Sequence, residues 1–249
     1  MKILSVILLA AAFLSTLILN PDVAQAAGKK RGGKSAFAGG SLSVGLGLGF
    51  ATAEQDGLNQ IISHAKTNSQ ATTAEMKAAT EYMGHATFRF SNNLVAIQLR
   101  PSLFTQSESG TGTGGNYNYK LDGFTFFPLV RIIPLSNDII DFYIQGGIGY
   151  GRMSGDVTNG PTTVSFAGSN FGAQVGLGAD FCFWPEHCFG VEGNYRYLPI
   201  QRNIVSSSNG TLSNNITQVT SNSELEANGS DVETKLSGIS GILTYTYNF

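Results

Sequence analysis

The sequence predicts an all-β protein, an eight-stranded antiparallel up-and-down transmembrane β-barrel. Three observations predict it. Eight segments alternate apolar with small or polar residues at a strict period of two, the repeat of a strand whose two faces meet different surroundings. Within those segments the charged residues fall on the non-apolar face. The connections between segments alternate short and long, as a meander crossing a bilayer with tight turns on one side requires.

The segments begin only after an export signal. Lys2 precedes an uncharged apolar run from Ile3 to Leu19, broken by Asn20-Pro21-Asp22 and followed by Ala24-Gln25-Ala26. A charged start, an apolar centre and a small-x-small site make residues 1–26 a secretory signal peptide, cleaved near Ala26. Residues 28–35, GKKRGGKS, then fit the phosphate-cradling G-x-x-x-x-G-K-[ST] pattern, which is meaningful only between a strand and a helix. After cleavage no strand precedes it, and the strand-like SLSVGLGLGF follows it. Residues 27–35, with Lys29, Lys30, Arg31 and Lys34, therefore read as a basic flexible tail, and residues 36–249 as the barrel.

Composition is compatible with this. Charged residues make up only 13% of the 249, and there are 31 glycines. No apolar run after the signal approaches the roughly 20 residues of a membrane helix, but barrel strands pass that test because each shows only half its residues to lipid. Setting aside Lys2, the four basic tail residues and Asp22 leaves 10 Lys/Arg against 16 Asp/Glu, which argues against a nucleic-acid partner.

The first segment turns Leu42, Val44, Leu46, Leu48 and Phe50 outward. The second sets Tyr82, Ala86, Phe88 and Phe90 against inward His85, Thr87 and Arg89. Asn92-Asn93 follows, a pair suited to the positive φ of a tight hairpin. In the third, Val95, Ile97, Leu99 and Leu103 face out while Gln98 and Arg100 face in. The fourth has Phe124, Phe126, Val130 and Ile132 outward and Thr125 and Arg131 inward; its Pro128 cannot donate to a ladder. The fifth opposes Phe142, Ile144, Ile148 and Tyr150 to Tyr143, Gln145 and three glycines. The sixth, FGAQVGLGADFCF, runs from Phe171 to Phe183 with Asp180 and Cys182 inward. The seventh has Phe189, Val191, Tyr195 and Tyr197 outward and Glu192, Asn194 and Arg196 inward. The last sets Ile239, Leu243, Tyr245, Tyr247 and Phe249 against Ser240, Thr244 and Thr246.

Arg89, Arg100, Arg131, Asp180, Glu192 and Arg196 thus share the inward parity. A bilayer enforces such sorting, since a Lys or Arg on the lipid face near midplane costs about 2–4 kcal/mol. Lys120 and Asp122 carry outward parity beyond Phe124 and are expected at headgroup level or past a bulge at Gly123. The short connections are Asn92-Asn93, PLSNDII and WPEHC. Residues 52–80, 105–120, 153–168 and 203–233 are the long polar loops. The first holds good helix formers and can fold a short helix over the barrel mouth.

The C-terminal LTYTYNF ends in Phe249, with Tyr247, Tyr245 and Leu243 at alternate positions before it. It resembles the terminal strand signature of bacterial outer-membrane proteins. YIQGGIGYG and FFPLVRIIPL look like the fifth and fourth strands of small eight-stranded barrels of the OmpA, OmpW and opacity type. The resemblance covers roughly residues 36–249 and departs from the fuller signature at Thr244. It implies a place in the bacterial outer membrane, contact with outer-membrane lipid and lipopolysaccharide, and recognition of Leu243, Tyr245, Tyr247 and Phe249 by the barrel-assembly machinery. A monomer is expected, without the wall tether of an added periplasmic domain.

Three groups of residues invite a chemical reading. Cys182 and Cys188 share the inward parity in an oxidising compartment and are expected to form a disulfide pinning the third short turn; with His187 they supply only three ligands, fewer than a closed zinc site uses. The inward charges either line a pore or form a structural network, and an eight-stranded barrel, whose interior side chains just fill, favours the network, although inward glycines leave room for a narrow conduit. His64, His85 and His187 are scattered, and hydrolytic chemistry needs its members within hydrogen-bond reach, so His85 is expected to be a satisfied interior histidine near Arg100. No catalytic, metal or cofactor residues are assigned. The expected role is a non-enzymatic structural, surface-contact or adhesive barrel; the alternative is a narrow porin-like channel or transporter for small hydrophobic molecules, which the OmpW resemblance allows, and then a lipid-modifying enzyme.

Overall fold

The computed structural model describes residues 40–91, 93–137, 139–210, 220–227 and 229–249. The signal peptide, the basic tail, Asn92 and Asp138 lie outside the described residues.

Eight strands close a ring. They are β1 (Ser41–Thr52), β2 (Ala78–Arg89), β3 (Val95–Gly112), β4 (Gly115–Ser136), β5 (Ile140–Asn159), β6 (Thr162–Trp184), β7 (His187–Tyr197) and, after five short strands of the last loop, β13 (Gly238–Asn248). Each pairs antiparallel with its sequence neighbour, β7 with β13, and β13 with β1 to seal the cylinder. No helix among the described residues is long and apolar enough to cross a membrane. The crossing is made by strands, whose backbone groups find partners around the ring.

The outward positions form a continuous apolar belt. Leu48, Ile97, Val130, Ile144, Val175, Val191 and Leu243 are all exposed. Aromatic side chains gather at both ends, with Phe50, Tyr82, Phe126, Tyr150 and Phe171 toward the long loops and Phe183, Trp184, Phe189 and Tyr245 beside the short turns, the girdles expected of a membrane barrel. Two prolines interrupt the wall at mid-height. The β4–β5 ladder skips from Phe126↔Tyr150 to Val130↔Gly146 around Pro128. The β2–β3 ladder skips from Met83↔Ser102 to Ala86↔Leu99 beside Pro101. Each proline pairs normally on its other side, so strand β4 runs straight through Pro128.

At the long-loop end the structure departs from the sequence reading. Residues 105–120 and 153–168 are not loops. They are continuations of β3–β6, closed by tight turns at Thr113-Gly114 and Gly160-Pro161, where Gly115 (φ 117°) and Gly160 (φ 61°) adopt the positive φ that glycine tolerates. The 22 residues of β4 make roughly 70 Å of strand at about 3.3 Å each, whereas a crossing takes about 9–11 residues. There is no bulge at Gly123, since the ladder is continuous on both sides of it; register shifts occur instead at Ile132/Leu135 and Cys182/Trp184. The last connection, between β7 and the final strand, is also structured. It contains β8 (Pro199–Ile200), β9 (Ile204–Asn209), β10 (Glu226–Ala227), β11 (Ser230–Asp231) and β12 (Thr234–Lys235), and β9 pairs with the upper part of β6. The expected helix in the first loop is present as α1 (Asp56–Ser69).

Candidate functional site: a filled lumen beneath a packed cap

Inside the membrane span, four of the six inward charges meet. Glu192 on β7 accepts hydrogen bonds from Arg100 Nη2 on β3 (2.5 Å), Arg131 Nη2 on β4 (2.6 Å) and Tyr143 Oη on β5 (2.7 Å). Gln98 and Gln145 each accept from a guanidinium at 2.9 and 2.8 Å. The Arg131 guanidinium lies 4.0 Å from the Tyr143 ring centroid, and its Nη1 is 3.8 Å from Asp180 Oδ2. Two arginines thus face two carboxylates, so the cluster is neutral, as charges removed from water must be. All of its arginine and glutamate side chains are essentially buried.

The remaining two charges are held elsewhere. Arg196 binds Glu81 through both terminal nitrogens (2.8 and 3.3 Å) and donates to the Leu236 carbonyl at 2.5 Å. Arg89 pairs with Asp141 at 2.8 Å near the short turns. The sequence reading missed both partners. Glu81 lies one residue before the quoted second segment and Asp141 at the start of the fifth, and both have the inward parity that would have found them.

The room left by inward glycines is taken. A Cβ on Gly45 would strike the His85 ring, one on Gly149 the Phe127 ring, and one on Gly178 the Tyr143 ring. The small residues are sockets for large neighbours, and no conduit follows from them. His85 is buried, and its Nε2 lies 3.1 Å from Thr246 Oγ1 on β13, over Gly45 of the intervening β1; its Nδ1 has no partner among the described residues, so the histidine is only half satisfied.

Above the membrane span the interior changes character. The concave face of the extended β3–β6 sheet presents Phe104, Tyr119, Leu121, Met153 and Phe166, all buried. Against it pack Leu58, Ile61, Ile62 and Ala65 of α1 together with Leu198, Leu225, Val232 and Leu236 of the last loop. Helix α1 has this face because its apolar residues recur at three- and four-residue spacing. Two buried amides pin the cap. Gln55 exchanges hydrogen bonds with the backbone of Lys235 (2.8 Å each way) and reaches Gln106 at 3.2 Å, while Asn203 donates to Val232 O at 2.7 Å and accepts from Thr234. Lys235 also pairs with Asp56 at the start of α1, and that carboxylate holds the lysine above its ordinary pKa.

At the opposite end, Cys182 and Cys188 form a disulfide across directly paired positions of β6 and β7. His187 faces Tyr245, with Nδ1 2.7 Å from its hydroxyl. No group of His, Cys, Asp or Glu suited to a metal occurs among the described residues. Tyr245 packs against Phe189 (5.5 Å) and Tyr247 against Phe249 (5.0 Å), and Leu243 and Tyr245 are exposed on the lipid side of the closing seam.

An apolar belt, aromatic girdles and a closed eight-strand ring define a membrane barrel, and the sequence agrees: residues 8–222 match the family described as the outer membrane protein beta-barrel domain. The chain belongs to that family. This outer-membrane barrel resides in the bacterial outer membrane. Its fold is similar to a major outer membrane protein from Thermus thermophilus (TM-score 0.51, 11% identity, covering 84% of this chain and 99% of that one). It is also similar to Ail, the attachment invasion locus protein of Yersinia pestis (0.43, 14%, 84% and 99%), and to Neisserial surface protein A (0.44, 12%, 84% and 97%). At these identities the likeness is one of fold alone. No curated protein matches the barrel in sequence.

Proposed function

We propose that this barrel is a non-conducting, non-enzymatic surface protein whose working part is the sheet and cap raised above the outer leaflet, serving contact or adhesion. The observation that carries the reading is the filling of the interior at two successive levels. Arg100, Glu192 and Arg131 close the lumen within the membrane span, and α1 with the last loop closes the mouth. A solute would have to break buried ion pairs and then an apolar core, which opposes the channel and transporter readings. Against catalysis, the three histidines sit on α1, in the lumen and at the third short turn, too far apart along the barrel to act together. Surface function instead fits the investment in length, since strands β3–β6 run about twice as far as a crossing needs. Polar loop tips on a rigid scaffold are where recognition concentrates.

The cap's described charges lean acidic: Glu54, Glu75, Glu108, Glu224, Glu226 and Glu233 outnumber the basic residues near them. A neutral or cationic partner therefore suits this surface better than a polyanion. In the same proposal the export signal is removed near Ala26, the assembly machinery reads Leu243, Tyr245, Tyr247 and Phe249, and the barrel works as a monomer.

Two measurements test the reading. In planar bilayers the purified protein is expected to give no steady, single-sized open state, and such a state would overturn it. Cells of a non-adherent host expressing the barrel are expected to bind surfaces or other cells more than cells expressing a version whose β3–β4 and β5–β6 hairpins are cut back to the aromatic girdle. Equal binding by the two would remove the adhesive role.

A further inference from the structure

Each short turn hands a backbone hydrogen bond to the strand beyond it. Ile133 N donates to Leu94 O at 2.8 Å, Cys182 N to Ile139 O at 2.7 Å, and Asn248 N to Glu186 O at 2.8 Å. At the third turn, Pro185-Glu186, the receiving strand also reaches back with a side chain. Asn248 Nδ2 donates to Pro185 O at 3.3 Å and to Cys188 Sγ at 3.1 Å. The outward side of the same strand end is held as well. The His187 ring, 2.7 Å from the Tyr245 hydroxyl, packs edge-on against Tyr247 (5.4 Å) and against Trp184 (6.3 Å). On its other side Asn248 pairs with Ser43 of β1, and Phe249 N donates to Leu42 O at 3.0 Å. The lower end of the seam that seals the ring therefore lies between β1 and a turn cross-linked through Cys182 and Cys188.

We propose that this turn is a redox-dependent latch on the seam. With the disulfide formed, Pro185 O, Glu186 O and Cys188 Sγ are fixed where Asn248 meets them, and β13 is held to β1 as far as Phe249. With the disulfide reduced, the turn loosens and the lower seam frays, while the rest of the ring stays shut. Two features argue for a local effect. The cysteines are six residues apart, and so short a loop gains little from constraining the unfolded chain. The acceptors that the cross-link steadies converge instead on one strand end, at the junction where the first and last strands of the ring meet. Reduction proceeds by thiol–disulfide exchange: two electrons pass to the S–S bond, both cysteines become thiols, and a dithiol reductant becomes the disulfide. Thiols stay reduced before export and pair in the oxidising compartment beyond it, so the latch sets only after export. None of this depends on what the cap contacts.

The test uses the full chain folded in lipid vesicles with its disulfide intact, then treated with dithiothreitol, with local opening read by amide exchange and mass spectrometry. Alkylation of both cysteines confirms the reduction, and heat-modifiable migration shows whether the ring persists. Reduction is expected to speed exchange about tenfold, the worth of roughly one hydrogen bond, at residues 245–249 and 41–45. No change is expected at residues 238–242 or in β4. Asn248→Ala in the oxidised protein is expected to give the same pattern. Reducing that variant is expected to add less than about twofold, because both changes act through one contact. Cys182→Ser with Cys188→Ser is expected to match the reduced protein and serves where the reductant does not reach the buried sulfurs. Arg89→Gln, which breaks the pair with Asp141 near the other short turns, is expected to leave the seam unchanged. Unaltered exchange at the lower seam after loss of the disulfide, a rise spread evenly over the ring or loss of its folded form, or additive effects of reduction and Asn248→Ala would each overturn the proposal.

Discussion

Strand β4 passes through two surroundings, and its outward face is apolar in the lower half and polar in the upper. From Phe124 to Ile132 the even positions are apolar and exposed while the odd ones are buried and mixed, polar at Thr125 and Arg131 and apolar at Phe127 and Leu129. From Asn116 to Asp122 the even positions are polar, and the odd ones, Tyr117, Tyr119 and Leu121, are buried and apolar. The pleat does not slip between the halves, because the register with β3 is continuous. The solvent changes instead. In lipid the outward face is greasy and the lumen can hold polar groups beside apolar ones; in water the greasy face turns in and needs a cover, which α1 and the last loop supply. The same inversion occurs on β5, from outward Ile148 and Tyr150 to inward Met153 and Val157. The crossover marks the outer edge of the hydrocarbon near Gly123.

This inversion explains what the sequence discloses and what it hides. The eight ring strands and the exposure of most membrane-facing side chains are legible in the period of two, with Val44, expected outward, buried at 7%, and α1 is visible in its helix formers. Residues 105–120 and 153–168 read as loops because their outward positions are Ser, Thr, Asn, Lys and Asp, the residues that also fill loops. Their inward positions, Tyr117, Tyr119, Met153 and Phe166, keep the strand alternation and carry the signal that identifies them as strand. Inward parity likewise identifies Arg100, Arg131, Glu192 and Asp180, but parity gives a face and not a partner. That Arg196 meets Glu81, and that His85 meets Thr246, depends on the register of the closed ring, in which β13 seals against β1.

The largest effect separating the two halves is expected at Glu192. Glu192→Ala leaves Arg100 and Arg131 buried without their shared carboxylate, and breaking a buried ion pair in this way costs about 3–5 kcal/mol. Urea unfolding of the barrel in lipid vesicles is expected to show a loss of that size. A loss under about 1 kcal/mol, the range of an exposed pair, would mean that water screens the lumen.

The cap is expected to yield locally. Ile62 of α1 is fully buried against the sheet, and Ile62→Ala removes apolar contacts worth about 2–5 kcal/mol. Because the cap lies outside the ring, amide exchange and protease cutting in residues 56–77 are expected to rise while heat-modifiable migration of the barrel is unchanged. If the barrel unfolds with the cap, the two regions form a single cooperative unit.

One strand also lets the inversion be probed directly. Val130→Arg places a charge on the lipid face near mid-height, expected to cost about 2–4 kcal/mol. Asn118→Arg, with the same parity twelve residues higher, faces water and is expected to fall within about 0.5 kcal/mol of wild type. Equal costs would put the hydrocarbon boundary somewhere other than Gly123.

The smallest effect is electrostatic and confined to the cap. Lys235 is held above its ordinary value of 10.5, first by its hydrogen bond to Asp56. A cation with a raised folded-state pKa contributes stability that is fully present below its unfolded value and is lost as pH rises through the folded one. The tether between α1 and β12 should therefore be intact at neutral pH and loosen only in alkali above about 10.5. The pair is largely exposed, so the contribution is small. Amide exchange rates, corrected for intrinsic base catalysis, are expected to rise in that window for residues 56–60 and not for β1. Lys235→Gln should abolish the step, whereas a step that survives the substitution would assign it to another group.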